Sequence, residues 1–340
     1  MSTSPCEIGS FLEYPSRSSL AVERAGESDD LLALQLTNSG RGALQSILQV
    51  ACDSNDEGIV WMPSYYCWDV TRYIANGRRV RTYPSTPTGV CYPSEFADGD
   101  VLVITSYFGQ RPQTPSTEAA SVLLDTTHDP LADWAKSFPA RWVFGSLRKT
   151  LPMAEGGYVA DRLSDQQLVL KRAGIKGDDE YQRGLAAIQA KAMWLIDEHG
   201  SKSEFYLALQ QHEEAFAHLE PTQMSETASE FLRTLPVRHW RHQRIQNAAH
   251  LRATLGDLPA FQALPSTFGV PLLMRTPAEA EEVKRTLIEN EIYPAVIWPQ
   301  PDEMHSETMI SKRLLLLHTD HRYGSAEMER TAQTVRLAIQ

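Results

Sequence analysis

Lys149 stands just past residues 141–145 (RWVFG), which read as a short buried strand, in a segment too poor in charge to be a solvated face. A lysine so placed can form an imine with an aldehyde, provided its ammonium gives up a proton readily. Ser146 and Arg148, just before it, can hold a phosphate through a hydroxyl and a guanidinium. Glu155-Gly156-Gly157 then makes a tight turn before the next strand. Asp125 closes a second apolar strand, 121–125 (SVLLD), and in open α/β sheets ligands gather beyond such carboxyl ends. Its carboxylate can pair with a protonated pyridine nitrogen, and His128, three residues on, can lie against that ring or its phenolic oxygen. Ser39-Gly40-Arg41-Gly42 opens a helix, where small residues and free N–H groups favour an anion. Each signal alone has a plainer explanation: a surface lysine, a helix-capping aspartate, a structural histidine, an ordinary helix start. Their order along the chain makes them read as one site: anion turn, strand-end aspartate, then lysine after a later strand.

Those residues need a scaffold. Residues 40–52 carry apolar side chains at helical spacing, 57–62 (EGIVWM) read as a strand ending at Pro63, 66–76 as a helix and 78–83 as a strand. Clear strands follow at 101–108, 121–125 and 141–145. Short apolar runs separated by helices predict an α/β fold with a mainly parallel, mixed sheet sandwiched by helices. Residues 162–220 are charge-rich and read as a helical layer or insertion, and 226–256 continue as helix. From Pro265 the pattern is strand (267–274), helix (277–290), strands (292–298 and 313–318) and helix (325–338), a smaller C-terminal α+β domain. The expected division is 1–240 and 241–340.

The bulk numbers set limits. At 42% hydrophobic and 22% charged, the 340-residue chain is globular rather than disordered. Its net charge of −11, from 43 acidic and 32 basic residues, argues against nucleic acid and anionic membranes as partners. Cys6, Cys52, Cys67 and Cys91 show neither metal-ligand spacing nor a disulfide pattern, and are read as reduced thiols of a cytoplasmic protein. The N-terminus has no signal-peptide pattern, and no apolar run is long enough for a membrane helix. His239 and His242 lack an acidic or cysteine partner in sequence, so no metal is expected.

On these stretches the chain resembles the DegT/DnrJ/EryC1/StrS aminotransferases, within the pyridoxal 5′-phosphate (PLP) enzymes of fold type I, which are aspartate aminotransferase-like. SGRGAL (39–44) is similar to the family's phosphate turn, with Arg41 in a threonine's place. MPSYYCWDV (62–70) is similar to the segment whose aromatic side chain covers the cofactor ring. LLDTTH (123–128), KTLPMAEGG (149–157) and DHRYG (320–324) are similar to three further family segments. The resemblance implies Lys149 as the Schiff-base lysine and proton carrier, Asp125 on the pyridine N–H, and His128 on the ring or its phenolic oxygen. It implies Gly40, Arg41 and Ser146 at the phosphate. Cys67 falls near the place of the ring-covering aromatic, which leaves Tyr66 or Trp68 for that work. It also implies a homodimer with shared active sites, and an amino donor and a keto or aldehyde acceptor as small-molecule partners.

The chain departs from the family after the lysine. The usual Asn-Tyr-Arg-Met segment is represented by Pro221-Thr222-Gln223-Met224-Ser225, without Asn or Arg. Arg322 is the candidate for gripping a substrate carboxylate, because guanidinium matches carboxylate in a bidentate pair. RHWRHQR (238–244) spaces Arg238, Arg241 and Arg244 three apart, either for a charged ligand or for an ion-pair network. The same lysine and aspartate also serve a PLP-dependent lyase, decarboxylase or replacement enzyme. A non-catalytic scaffold is disfavoured by the retained Lys149, Asp125 and Glu155-Gly156-Gly157.

Overall fold

The computed structural model describes residues 7–16, 20, 26–51, 58–116, 121–163, 168–172, 174–197, 200–216, 218–301 and 309–339. Cys6, Cys52, and residue 57 of the expected strand 57–62 lie outside them. The elements begin with β1 (Ile8–Gly9), α1 (Asp29–Leu32), β2 (Gln35–Thr37), α2 (Gly40–Ala51), β3 (Val60–Pro63), α3 (Trp68–Ala75) and β4 (Val80–Tyr83). Then come the short strands β5 (Ser85–Thr86) and β6 (Gly89–Val90), followed by β7 (Val101–Thr105), β8 (Ser121–Asp125), β9 (Trp142–Ser146) and β10 (Gly157–Asp161). Helices α4 (Ile175–Asp197), α5 (Lys202–Phe216), α6 (Glu226–Thr234) and α7 (Val237–Leu255) follow. The chain ends with β11 (Phe261–Ala263), β12 (Val270–Met274), α8 (Pro277–Glu289), β13 (Ile292–Tyr293), β14 (Leu314–Leu317) and α9 (Ser325–Ala338).

The central sheet has the order β2-β10-β9-β8-β7-β3-β4. Strands β4, β3, β7, β8 and β9 pair in parallel, and β10 runs antiparallel to β9 and β2. The period of two along each strand sorts its side chains to opposite faces. Val101, Val103, Leu123, Trp142 and Phe144 meet Ala43, Leu44, Ile47 and Leu48 of α2. Leu102, Ile104, Leu124 and Val143 pack instead with Ala228 and Leu232 of α6 and Trp240 of α7. Covering both faces buries β7 throughout and leaves the strand ends as the open ground for a ligand. The mainly parallel, mixed sheet sandwiched by helices is the one expected.

The second, smaller sheet, β11-β12-β14, is antiparallel and is covered by Leu251 of α7, Val283 of α8 and Met328 of α9. Helix α8 starts sharply because Thr276 Oγ1 accepts the Glu279 N–H at 3.1 Å while Glu279 Oε2 accepts the Thr276 N–H at 3.0 Å, with Pro277 in the first turn. Strand β1 pairs in parallel with β13, and Ile8 is buried in the same core.

Several expected elements are shorter than their apolar runs. The strand at 101–108 stops at Thr105, because Phe108 takes a left-handed backbone with φ 54°. The run 292–298 keeps only two residues of strand, and Trp298 also has a left-handed backbone, φ 49°. The helix expected through 226–256 breaks between α6 and α7, where Leu235 is extended before Pro236. Residues 162–220 are not helical throughout: Asp161 ends β10, Lys171 bridges Thr222, and the helical hairpin α4-α5 follows.

Candidate active site

Asp125 ends β8 beside Thr105 of β7 and Phe144 of β9, and only 4% of it is exposed. Its Oδ1 accepts the Thr127 N–H at 2.8 Å, and its Oδ2 accepts the Tyr66 hydroxyl. Burial raises the carboxyl's pKa, opposed by the hydrogen bonds from Thr127 and Tyr66. Tyr66 is itself pushed well up, by burial first and by the Asp125 charge second.

His128, on the same turn, is buried, and its Nδ1 accepts the Phe108 N–H at 3.0 Å. The ring proton is therefore on Nε2. Burial first, and the charge of Lys149 second, hold His128 down at about 3, so the imidazole is neutral. Its ring stacks with Phe268 (4.5 Å, 20°) and Trp298 (5.3 Å, 19°). Trp298 also meets Tyr65, Tyr66 and Tyr107, and Gln300 Nε2 donates to the carbonyls of both Tyr66 and Trp298. An aromatic wall from residues 65–66, 107–108, 268 and 298 thus borders the aspartate.

The anion turn meets the strand that leads to the lysine. Ser39 Oγ caps α2 by accepting the Gly42 N–H at 2.9 Å. A Cβ on Gly40 would stand 2.9 Å from Ser146 Cβ and 3.0 Å from Ser146 N, so a side chain there would push the helix start away from Ser146. Ser146 N donates to Thr127 Oγ1 at 3.0 Å, which joins the β9 end to the aspartate turn. Lys149 follows, with its pKa lowered to about 8 by the desolvating protein around it, then by Arg148 and by Arg41. About half of its side chain is exposed (52%), so water tempers that shift. Cys67, whose thiol burial pushes up, is close enough to feel both Lys149 and Arg41. Gly40, Arg41, Ser146, Lys149 and His128 are therefore brought to one place, with Asp125 and Tyr66 beside it. Trp68 opens α3 and is half-buried; no ring–ring contact of Trp68 occurs among the described residues, whereas Tyr66 reaches the aspartate.

Arg322 is not available to a substrate. Its Nε and Nη2 donate to Asp320 at 2.7 and 2.9 Å, and its Nη1 donates to Glu13 Oε2 at 2.7 Å and to the Phe11 carbonyl at 3.0 Å. The expectation that it grips a substrate carboxylate is corrected by that engagement: the guanidinium is spent on its own chain. The RHWRHQR segment is an ion-pair and hydrogen-bond network. Arg238 pairs with Asp30 at 2.6 Å, and Arg241 grips both oxygens of Asp129 at 2.7 and 2.8 Å. Arg244 Nη2 donates to the Thr150 carbonyl at 2.8 Å. Asp129 adjoins His128 and Thr150 adjoins Lys149, so α7 pins both turns.

Sequence reasoning missed Glu213 and Trp298. Glu213, on α5, pairs with Arg148 and stands 3.7 Å from Lys149 Nζ. Nothing in its spacing relates a glutamate in a charge-rich helix to a lysine more than sixty residues earlier. Trp298 lay within an expected strand, and its left-handed backbone carries no sequence mark such as glycine.

No family model matches the chain, and no curated protein matches it. Solved structures do. Spr1654 from Streptococcus pneumoniae, in its PLP form, is 11% identical with a TM-score of 0.63, over 97% of this chain and 98% of that one. The sugar aminotransferase CalS13 from Micromonospora echinospora is 13% identical with a TM-score of 0.56, over 97% and 99%. The glycine decarboxylase (P-protein) of the glycine cleavage system is 15% identical with a TM-score of 0.53, over 98% and 84%. The chain thus has, over nearly its whole length, the α/β architecture of PLP-transferase fold type I.

Proposed function

We propose that this protein is a PLP-dependent aminotransferase that moves an amino group from a small amino donor to a keto or aldehyde acceptor, sugar-like or a specialised metabolite. One observation carries the reading: a lysine with a lowered pKa follows the strand end that Gly40 touches, next to the strand that ends in a buried aspartate. The residues fit PLP. The α2 start with Ser146, Arg41 and Arg148 offers N–H, hydroxyl and guanidinium groups to a phosphate. Asp125, accepting two hydrogen bonds, keeps capacity for a ring N–H, since a carboxylate has about four acceptor sites. PLP, when bound, supplies the electron sink that stabilises a carbanion next to the transferred nitrogen.

The protein's own part is positioning and proton handling. Lys149 Nζ takes up and returns a proton, which its lowered pKa suits to near-neutral conditions. Asp125 holds the ring nitrogen protonated, and neutral His128 presents Nε2–H. Arg244 and Arg241 hold the turns that carry Lys149 and His128. The reading carries with it a homodimer with shared sites and a cytoplasmic setting; light scattering on the purified protein tests the first. Among the described residues no helix is long and apolar enough to cross a membrane.

The test is a half-reaction. Protein loaded with PLP, given a panel of amino donors, should release the matching keto acid and leave pyridoxamine phosphate in stoichiometric amount. The likeness to a glycine decarboxylase supports a second reading, a lyase, decarboxylase or replacement enzyme on the same residues. Carbon dioxide or an eliminated group, without pyridoxamine phosphate, would select it over transamination.

A further inference from the structure

We propose that Glu213 is a built-in competitor for the anion ground in front of Arg148 and Lys149, which an incoming phosphate must displace. The proposal rests on the reading of that ground as a phosphate site. Helix α5 is fixed where it can do this. The His212 Nε2–H donates to the Ala154 carbonyl at 2.7 Å, and His212 Nδ1 lies 2.8 Å from Glu180 of α4. Gly184 of α4 makes room for that ring, since a Cβ there would lie 2.3 Å from it. One turn on, Phe216 lies under the Arg148 guanidinium, 4.6 Å from ring to carbon. Between these two anchors Glu213 turns its carboxylate onto Arg148, with Oε2 at 3.7 Å from Lys149 Nζ.

Arg148 is 9% exposed and needs a partner for its charge; Glu213 is 37% exposed and does not. The asymmetry sets the exchange. When a phosphate takes Arg148, Glu213 rotates about its own side-chain bonds into water while the helix stays docked. Binding therefore costs the Glu213–Arg148 pair, and the phosphate must out-compete a tethered carboxylate held at high local concentration. A ligand without a phosphate, approaching only Asp125 and Lys149, does not meet this cost at Arg148.

The test compares Glu213→Gln with wild type in titrations of the apo-protein with inorganic phosphate (calorimetry), PLP and unphosphorylated pyridoxal (absorbance). Losing the competitor should tighten phosphate and PLP by about tenfold, the equivalent of about 1.4 kcal/mol, and shift pyridoxal by less, because pyridoxal meets only the 3.7 Å contact at Lys149. Glu214→Gln, the exposed neighbour, should change none of them, which separates competition from a general loss of negative charge. Glu213→Asp, whose shorter side chain retreats from Arg148, serves if the glutamine variant fails to fold and should tighten phosphate in the same sense. Unchanged or weaker phosphate binding in the Glu213 variant, or equal tightening in Glu214→Gln, overturns the proposal. Tighter phosphate without any PLP capture would keep the competition and sink the aminotransferase reading; PLP capture without tighter phosphate would do the reverse.

Discussion

Tyr66→Phe isolates the hydrogen bond on which the aspartate depends. Asp125 is 4% exposed and accepts from two donors, the Thr127 N–H at 2.8 Å and the Tyr66 hydroxyl. Removing one hydroxyl leaves almost no cavity, so the loss is the hydrogen bond to a buried carboxylate, about 1.5–3 kcal/mol. The pH dependence has a definite sign. Burial already raises the carboxyl's pKa above its unfolded value, and the Tyr66 bond pulls it back. Phenylalanine lets it rise further. The folded state then holds its proton over a wider range, and the stability tied to that proton, complete below the unfolded pKa of about 4, is lost as pH rises through the raised folded pKa. The variant's deficit is therefore smaller at pH 4 than at pH 8. On the proposed function, the ring N–H of PLP would supply Asp125 with another donor, and the deficit at pH 8 should fall to about half or less of its apo value. Urea unfolding of apo and loaded protein at the two pH values reads all four numbers. A deficit independent of pH refutes the argument about Asp125, and one unaffected by PLP refutes the argument that the ring reaches it.

Two further perturbations test the scaffold. Gly40→Ala puts a methyl 2.9 Å from Ser146 Cβ; relief of such overpacking costs about 1–3 kcal/mol, so phosphate and PLP should bind about tenfold more weakly, and unchanged titrations would remove Gly40 from the site. Lys191 is fully buried, 3.0 Å from Glu7 and 3.4 Å from Glu13. Lys191→Met should cost about 3–5 kcal/mol by stranding those carboxylates, towards the low end because Lys202 also holds Glu7 at 2.7 Å. Glu7→Gln added to Lys191→Met should recover part of the loss; a double variant no more stable than the single would show that the deficit is not stranded charge.

The placement of the candidate site's residues was legible in the sequence where local pattern fixes it. Asp125 and Lys149 each follow an apolar run whose period and length mark a strand, and Gly40 precedes a run with helical spacing, so their places could be read before their contacts were known. Longer reach was not legible. Arg322 carries the residue type of a carboxylate grip, yet Asp320 two residues away and Glu13 from the chain's start consume it. Arg241 and Arg244 share a helix face, but only the fold shows that one holds the residue after His128 and the other the residue after Lys149. Trp298 reads as strand because its neighbours are apolar, and a left-handed tryptophan held by Gln300 leaves no trace in a periodicity. The break at Leu235-Pro236 was written in the sequence and outweighed by the helical pattern on both sides of it.

The central claim is that Lys149 carries the cofactor. Purified protein incubated with PLP, reduced with borohydride, digested and weighed by mass spectrometry should show the phosphopyridoxyl mass on Lys149, and the visible band formed before reduction should be missing from Lys149→Ala. Label on another lysine, or an unaltered band in the alanine variant, would contradict the account.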